Sequence, residues 1–137
     1  MTKGFRRAPL GAAVSLGFAA AALLAAGAAE AHHSTAMFDM RKDVKLEGTI
    51  KRFDWTNPHT WIVFVVPNAQ GGMDEYGIEG MSPNYLVRNG WSKHTLNPGD
   101  KVELTIHPLK DGRKGGFDVS VKWPDGKLMY NLPRGPP

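Results

Sequence analysis

Cysteine is missing from all 137 residues. That excludes disulfides, thiolate zinc sites, thioether haem attachment and cysteine nucleophiles. The domain must hold together on its core alone. A surplus of one charge is also missing. Lys and Arg number 17 against 13 Asp and Glu, a net of +4. Lys3, Arg6 and Arg7 against Glu30 put +2 of this near the N-terminus and leave +2 for the rest. So small an excess argues against nucleic acid, because phosphate affinity needs several clustered cations. No Gly-x-Ser-x-Gly nucleophile motif occurs. The carboxylates Asp39, Asp54 and Glu79 lie far apart in sequence, and nothing fixes a catalytic separation for them. The residues point away from an enzyme.

What is present begins with a leader. Lys3, Arg6 and Arg7 precede an apolar stretch from about Leu10 to Ala26, followed by Ala29-Glu30-Ala31. A basic start, a short apolar core and a small-x-small exit read as a signal peptide over residues 1–31. The apolar core is shorter than the roughly 20 residues a bilayer needs, so an uncleaved anchor is the weaker reading. The Arg6-Arg7 pair stands in a poor context for a twin-arginine signal. The expected location is periplasmic or secreted, with no membrane contact after cleavage. The remainder is long enough for one domain.

Thr35 to Asp43 reads as an N-terminal arm, with Met37 and Phe38 as its anchors. Val44, Leu46, Gly48 and Ile50 alternate as a strand continuing to Trp55. Phe53 and Trp55 have the opposite parity, so a bulge near Lys51 is needed to turn them inward. Thr56-Asn57-Pro58-His59 is a turn. Thr60 to Val66 is the most β-rich run, and residues 67–74 form a Gly-rich hairpin loop. Glu75 to Gly80 is a short strand. Ser82-Pro83 supplies an N-cap and an N1 proline for a helix over Pro83–Asn89, stopped by Gly90. Trp91 is expected to pack back on the core. Asn97-Pro98-Gly99-Asp100 is a turn before a strand over Lys101–Leu109. Phe117, Val119 and Val121 alternate inward in the next strand. A hairpin at Pro124-Asp125-Gly126 leads to Lys127–Tyr130, and residues 133–137 form an extended tail. The order predicts a mainly β fold, a small OB-like barrel of five to six strands with one short helix, over residues 44–132. A small β-sandwich is the alternative.

The motifs also resemble a known family. They are His32-His33-Ser34, Phe38-Asp39, Leu46-Glu47-Gly48-Thr49, Trp55-Thr56-Asn57-Pro58-His59-Thr60-Trp61-Ile62 and Ile78-Glu79-Gly80. They continue with Ser82-Pro83-Asn84, Gly90-Trp91, Pro98-Gly99-Asp100-Lys101-Val102, Leu109-Lys110-Asp111-Gly112 and Pro124-Asp125-Gly126. In that order they resemble a family of exported bacterial proteins described only as domain of unknown function 6152. The resemblance implies export and a small β-barrel-like domain, and no activity. Tyr76 stands where the family tends to have a tryptophan, which keeps the aromatic character.

Three groups of residues bear on chemistry. Cleavage after Ala31 would put an α-amino group and an imidazole on His32, a bidentate chelate for copper or zinc. A third nitrogen from His59, or from His33, would complete a three-nitrogen copper site. A cut one residue earlier would give an Ala31-His32-His33 terminus, which binds Cu(II) in a square plane. The plainer reading is a polar start that suits the processing enzyme. His94 reads as a solvated loop residue and His107 as structural. The aromatics Trp55 and Trp61 flank the turn with Asn57, and form a candidate surface for a ligand or a periplasmic protein partner. Most other aromatics read as core. Glu79 is expected to cap or to pair with Arg88, and the Lys110–Lys114 loop to be solvated.

Overall fold

The computed structural model describes residues 35–132. The leader, His32, His33 and the tail at 133–137 lie outside the described residues. The elements run β1 (Val44–Asp54), β2 (Trp61–Pro67), β3 (Met73–Glu79), α1 (Pro83–Arg88), β4 (Lys101–Pro108), β5 (Gly115–Lys122) and β6 (Leu128–Tyr130). β1 pairs antiparallel with both β2 and β4, β2 with β3, and β4 with β5. A parallel β3–β5 pairing closes the five strands into a barrel, and β6 is added beside β5. This is the OB-like order read from the sequence. Among the described residues no helix is long and apolar enough to cross a membrane.

β1 is long because it serves two neighbours. Its first half pairs with β4 and its second half with β2. Gly48 lets it approach β2, since a Cβ there would collide with the Val65 carbonyl oxygen. The β1–β2 register shifts between Ile50 and Arg52. This is the bulge that the parity of Phe53 and Trp55 required. Both rings then pack against the core, edge to face with centroids 5.7 Å apart.

β2 buries Ile62, Val63 and Phe64 in succession. β3 begins at Met73, two residues before its expected start. Asn68 shortens the loop by accepting from the amides of Gly72 at 2.8 Å and Gln70 at 3.2 Å. In α1 the Ser82 side chain accepts from the Tyr85 amide, Pro83 opens the helix, and Gly90 follows at φ 82°. Six residues are too few for propensity to hold a helix in water. The burial of Leu86, with Trp91 and Leu96 behind it, holds it instead.

β5 departs from simple alternation. The β4–β5 register shifts between Thr105 and Ile106, so Ser120 pairs with Thr105 while Asp118 pairs with Ile106. Val119 falls in the bulge and is only half-buried. Asp118 takes the place beside Ile106 and is fully buried. Phe117 is buried against Phe38, with centroids 5.5 Å apart. Phe38 forms a bridge with Leu109, and the flanking bonds Asp39 N–H to Pro108 O and Lys110 N–H to Met37 O tie the arm down. Phe38 is thus the anchor of the arm, while Met37 is exposed.

Candidate functional site

His59 is the last residue but one of the connection between β1 and β2. Thr60, next to it, is fully buried and is stitched to the segment after β3. Its amide and its hydroxyl both donate to the Met81 carbonyl, at 3.2 and 3.0 Å, and its own carbonyl accepts from the Gly80 amide at 2.9 Å. The β2–β3 ladder therefore continues past both strands and fixes His59 against Gly80. Gly80 has to be glycine, because a Cβ there would strike the Thr60 hydroxyl and come within 2.9 Å of Asn131 Nδ2.

The imidazole is held from one side. His59 Nδ1 lies 3.0 Å from the Gly80 carbonyl oxygen and 3.1 Å from Glu79 Oε1. Both neighbours are acceptors, so Nδ1 carries the proton and donates. In the neutral ring Nε2 then keeps its lone pair. Glu79 is only 15% exposed, against 35% for His59. Burial raises the Glu79 carboxyl above its ordinary range, and a positive His59 beside it opposes that rise. The expected Glu79–Arg88 contact is not formed, because the β3 register turns Glu79 toward the His59 turn.

Behind Gly80 lies a buried polar chain that the sequence did not announce. The Met81 amide donates to Asn131 Oδ1 at 2.7 Å, and Asn131 Nδ2 donates to Asp118 Oδ2 at 3.0 Å. Asn131 and Asp118 are both fully buried. Asp118 Oδ1 has no hydrogen-bond partner among the described residues. Burial pushes the Asp118 carboxyl up to about 7, with the Asn131 bond pulling the other way. In sequence, Asp118 and Ser120 look like the outward positions of an alternating strand. The bulge at Val119 turns Asp118 inward beside Ile106, while Ser120 keeps its place beside Thr105.

The aromatic residues of the turn separate. Trp61 pairs with Asp54 on one side and Glu79 on the other. Its indole lies over Gly77, where an added Cβ would stand 2.8 Å from Cζ2, and 40% of the residue is exposed. Trp55 turns to Phe53 and the core instead. Asn57 is exposed and joined to Pro58 by a cis peptide. The structure thus brings His59, Glu79 and Trp61 together, while Trp55 and Asn57 stand apart from them. His94 is exposed in its loop. His107 Nδ1 bonds Lys42 O at 3.1 Å and lies 3.1 Å from Asp43 Oδ1, which ties it to the arm. Among the described residues no three His, Cys, Asp or Glu converge as metal ligands.

The architecture and this turn define a class: a small closed OB-like barrel with a fixed imidazole at one end. The chain belongs to a family of unknown function (DUF6152), whose model matches residues 20–118. No curated protein and no solved structure matches it.

Proposed function

We propose that the protein is an exported binding module that takes copper or another late transition metal through His32, with His33 or His59 as a further nitrogen donor. The observation that carries this reading is the placement of His59 Nδ1 beside two acceptors. An imidazole whose Nδ1–H is held by a carbonyl and a carboxylate, with Nε2 open, has the outer-shell arrangement found around metal-ligating histidines. Its two acceptors lie at 3.0 and 3.1 Å. His59 and Glu79 fall short of three donors, so the reading depends on nitrogens supplied by His32, which cleavage after Ala31 would provide.

Intact mass of the exported chain locates its first residue; any start other than His32 removes the amino-terminal chelate. Copper titration followed by electron spin resonance then tests the site. The expected outcome is sub-micromolar binding with nitrogen ligation, abolished by His32→Ala. His59→Ala is expected to remove one nitrogen from the spectrum. Glu79→Gln is expected to weaken binding by about ten- to a hundredfold, as outer-shell losses do. Binding unchanged in His32→Ala would overturn the proposal.

A second reading rests on the exposed Trp61. In it the protein binds no metal and serves as an accessory to a periplasmic redox enzyme through the Trp61 face. Co-purification from periplasm would then recover one partner, and Trp61→Ala would lose it.

A further inference from the structure

The barrel has a second end, remote from His59. There β2 finishes, β3 and β4 begin, and β5 finishes. A cavity of about 670 Å³ opens at this end. Small-molecule sites typically measure about 300–1,000 Å³, and barrel mouths are among the places where they occur. Val102 lines it and belongs to the core, while Met73 and Trp123 flank it. Met73 is 56% exposed, a large apolar side chain left in water at the rim. Trp123 packs partly on the core, and Lys127 Nζ stands 4.8 Å from its ring centroid.

The rim carries two acids and two lysines, but the two signs are not equally engaged. Of its two acids, Glu103 is already engaged by Lys45 at 3.4 Å. Glu47 stands directly opposite Glu103 across the β1–β4 pairing. Lys101 and Lys122 also line the cavity, and among the described residues neither has a carboxylate within ion-pair distance. Among the described residues, one unengaged carboxylate, Glu47, therefore shares the cavity with two unengaged ammonium groups, and Lys127 stands over the Trp123 ring. Apolar walls favour a hydrocarbon body, and the one surplus positive charge favours a negative head.

We infer that this mouth binds an amphipathic organic anion, its apolar body between Met73 and Trp123 and its anionic head on Lys101 and Lys122. The site is independent of His59 and needs no metal. The test uses the full chain and two probes with the same tail and opposite heads, dodecanoate and dodecyltrimethylammonium, each below its micelle concentration. Amide and indole shifts by nuclear magnetic resonance report the binding. Dodecanoate is expected to shift Val102, Lys122 and the Trp123 indole saturably, and to bind more tightly than the cation. The Lys101→Gln/Lys122→Gln double variant should weaken dodecanoate by about tenfold, the loss of roughly 1.4 kcal/mol. Both lysines are exposed, so the variant keeps the fold, and its melting temperature checks this. Met73→Ser should weaken both probes. Equal or tighter binding of the cation, an unchanged double variant, or shifts confined to other residues would overturn the inference.

Discussion

Asp118 is a carboxyl group in a place that suits a neutral side chain. It is fully buried, one oxygen bonds Asn131, and the other has no partner among the described residues. Its acid form persists to about pH 7 in the fold, against 3.8 for the ordinary group. The folded chain therefore binds a proton that the unfolded chain has released between these values. Stability falls as pH rises through that window and is fullest below about pH 4. No charged side chain is among the causes, which are burial first and Asn131 second. We predict a wild-type melting temperature that declines between about pH 4 and pH 7. In Asp118→Asn the decline should largely disappear, leaving the variant more stable at pH 8, by at most about 4 kcal/mol. Thermal melts across pH check this, and parallel curves for the two proteins would refute it. Glu79, also raised by burial, adds a weaker slope of the same sign. Gly80 sets a second test at this scale. Gly80→Ala overpacks the Thr60–Asn131 contact and should cost about 1–3 kcal/mol by denaturant titration.

At the scale of elements, what could be read in advance follows from how each element is specified. β1 and β4 face water on one side along much of their length, so their inward residues alternate visibly. α1 is announced by Ser82, Pro83 and Gly90, which act within one turn of the chain. The Phe53 and Trp55 bulge was legible because two large aromatics had the wrong parity. The β5 bulge was not, since the shift lies between Thr105 and Ile106 and depends on pairing with another strand. For the same reason the candidate site was half legible. His59 and Trp61 stand beside an Asn-Pro turn and attract notice, whereas the Glu79 partner and the Asp118–Asn131 pair come from residues distant in sequence. The arm gives an element-scale prediction. Phe38 is buried on Phe117, and its loss should cost about 3 kcal/mol. Phe38→Ala should also speed hydrogen exchange at the Asp39 and Lys110 amides, which bond across the arm. Unchanged protection at both would mean that the arm is held elsewhere.

Across the whole molecule, the barrel keeps its two distinctive ends apart. One end gathers His59, Glu79 and Trp61, and the other is the mouth flanked by Met73 and Trp123. Cross-strand partners link Trp61 to Glu79, Glu79 to Phe117, and Phe117 to His107, a row that runs round the barrel. The arm anchor Phe38 sits on that row. The chain has no covalent crosslink to hold the ends in place, so the strand ladders and the core carry this geometry.

The closing contact between β3 and β5 also sets the order in which a growing chain can become safe. β1, β2 and β3 can pair as soon as they exist, because their partners are near in sequence. Until Lys101 and Gly115 have been made, however, β1 lacks β4 and β3 lacks β5. The half-built meander then offers two bare strand edges, each a template for another copy. A chain stopped after Asn97 should therefore aggregate, whereas one ending at Leu132 should stay monomeric by size-exclusion chromatography. The last third of the sequence, which carries β4 and β5, thus acts as the chain's own guard against self-association.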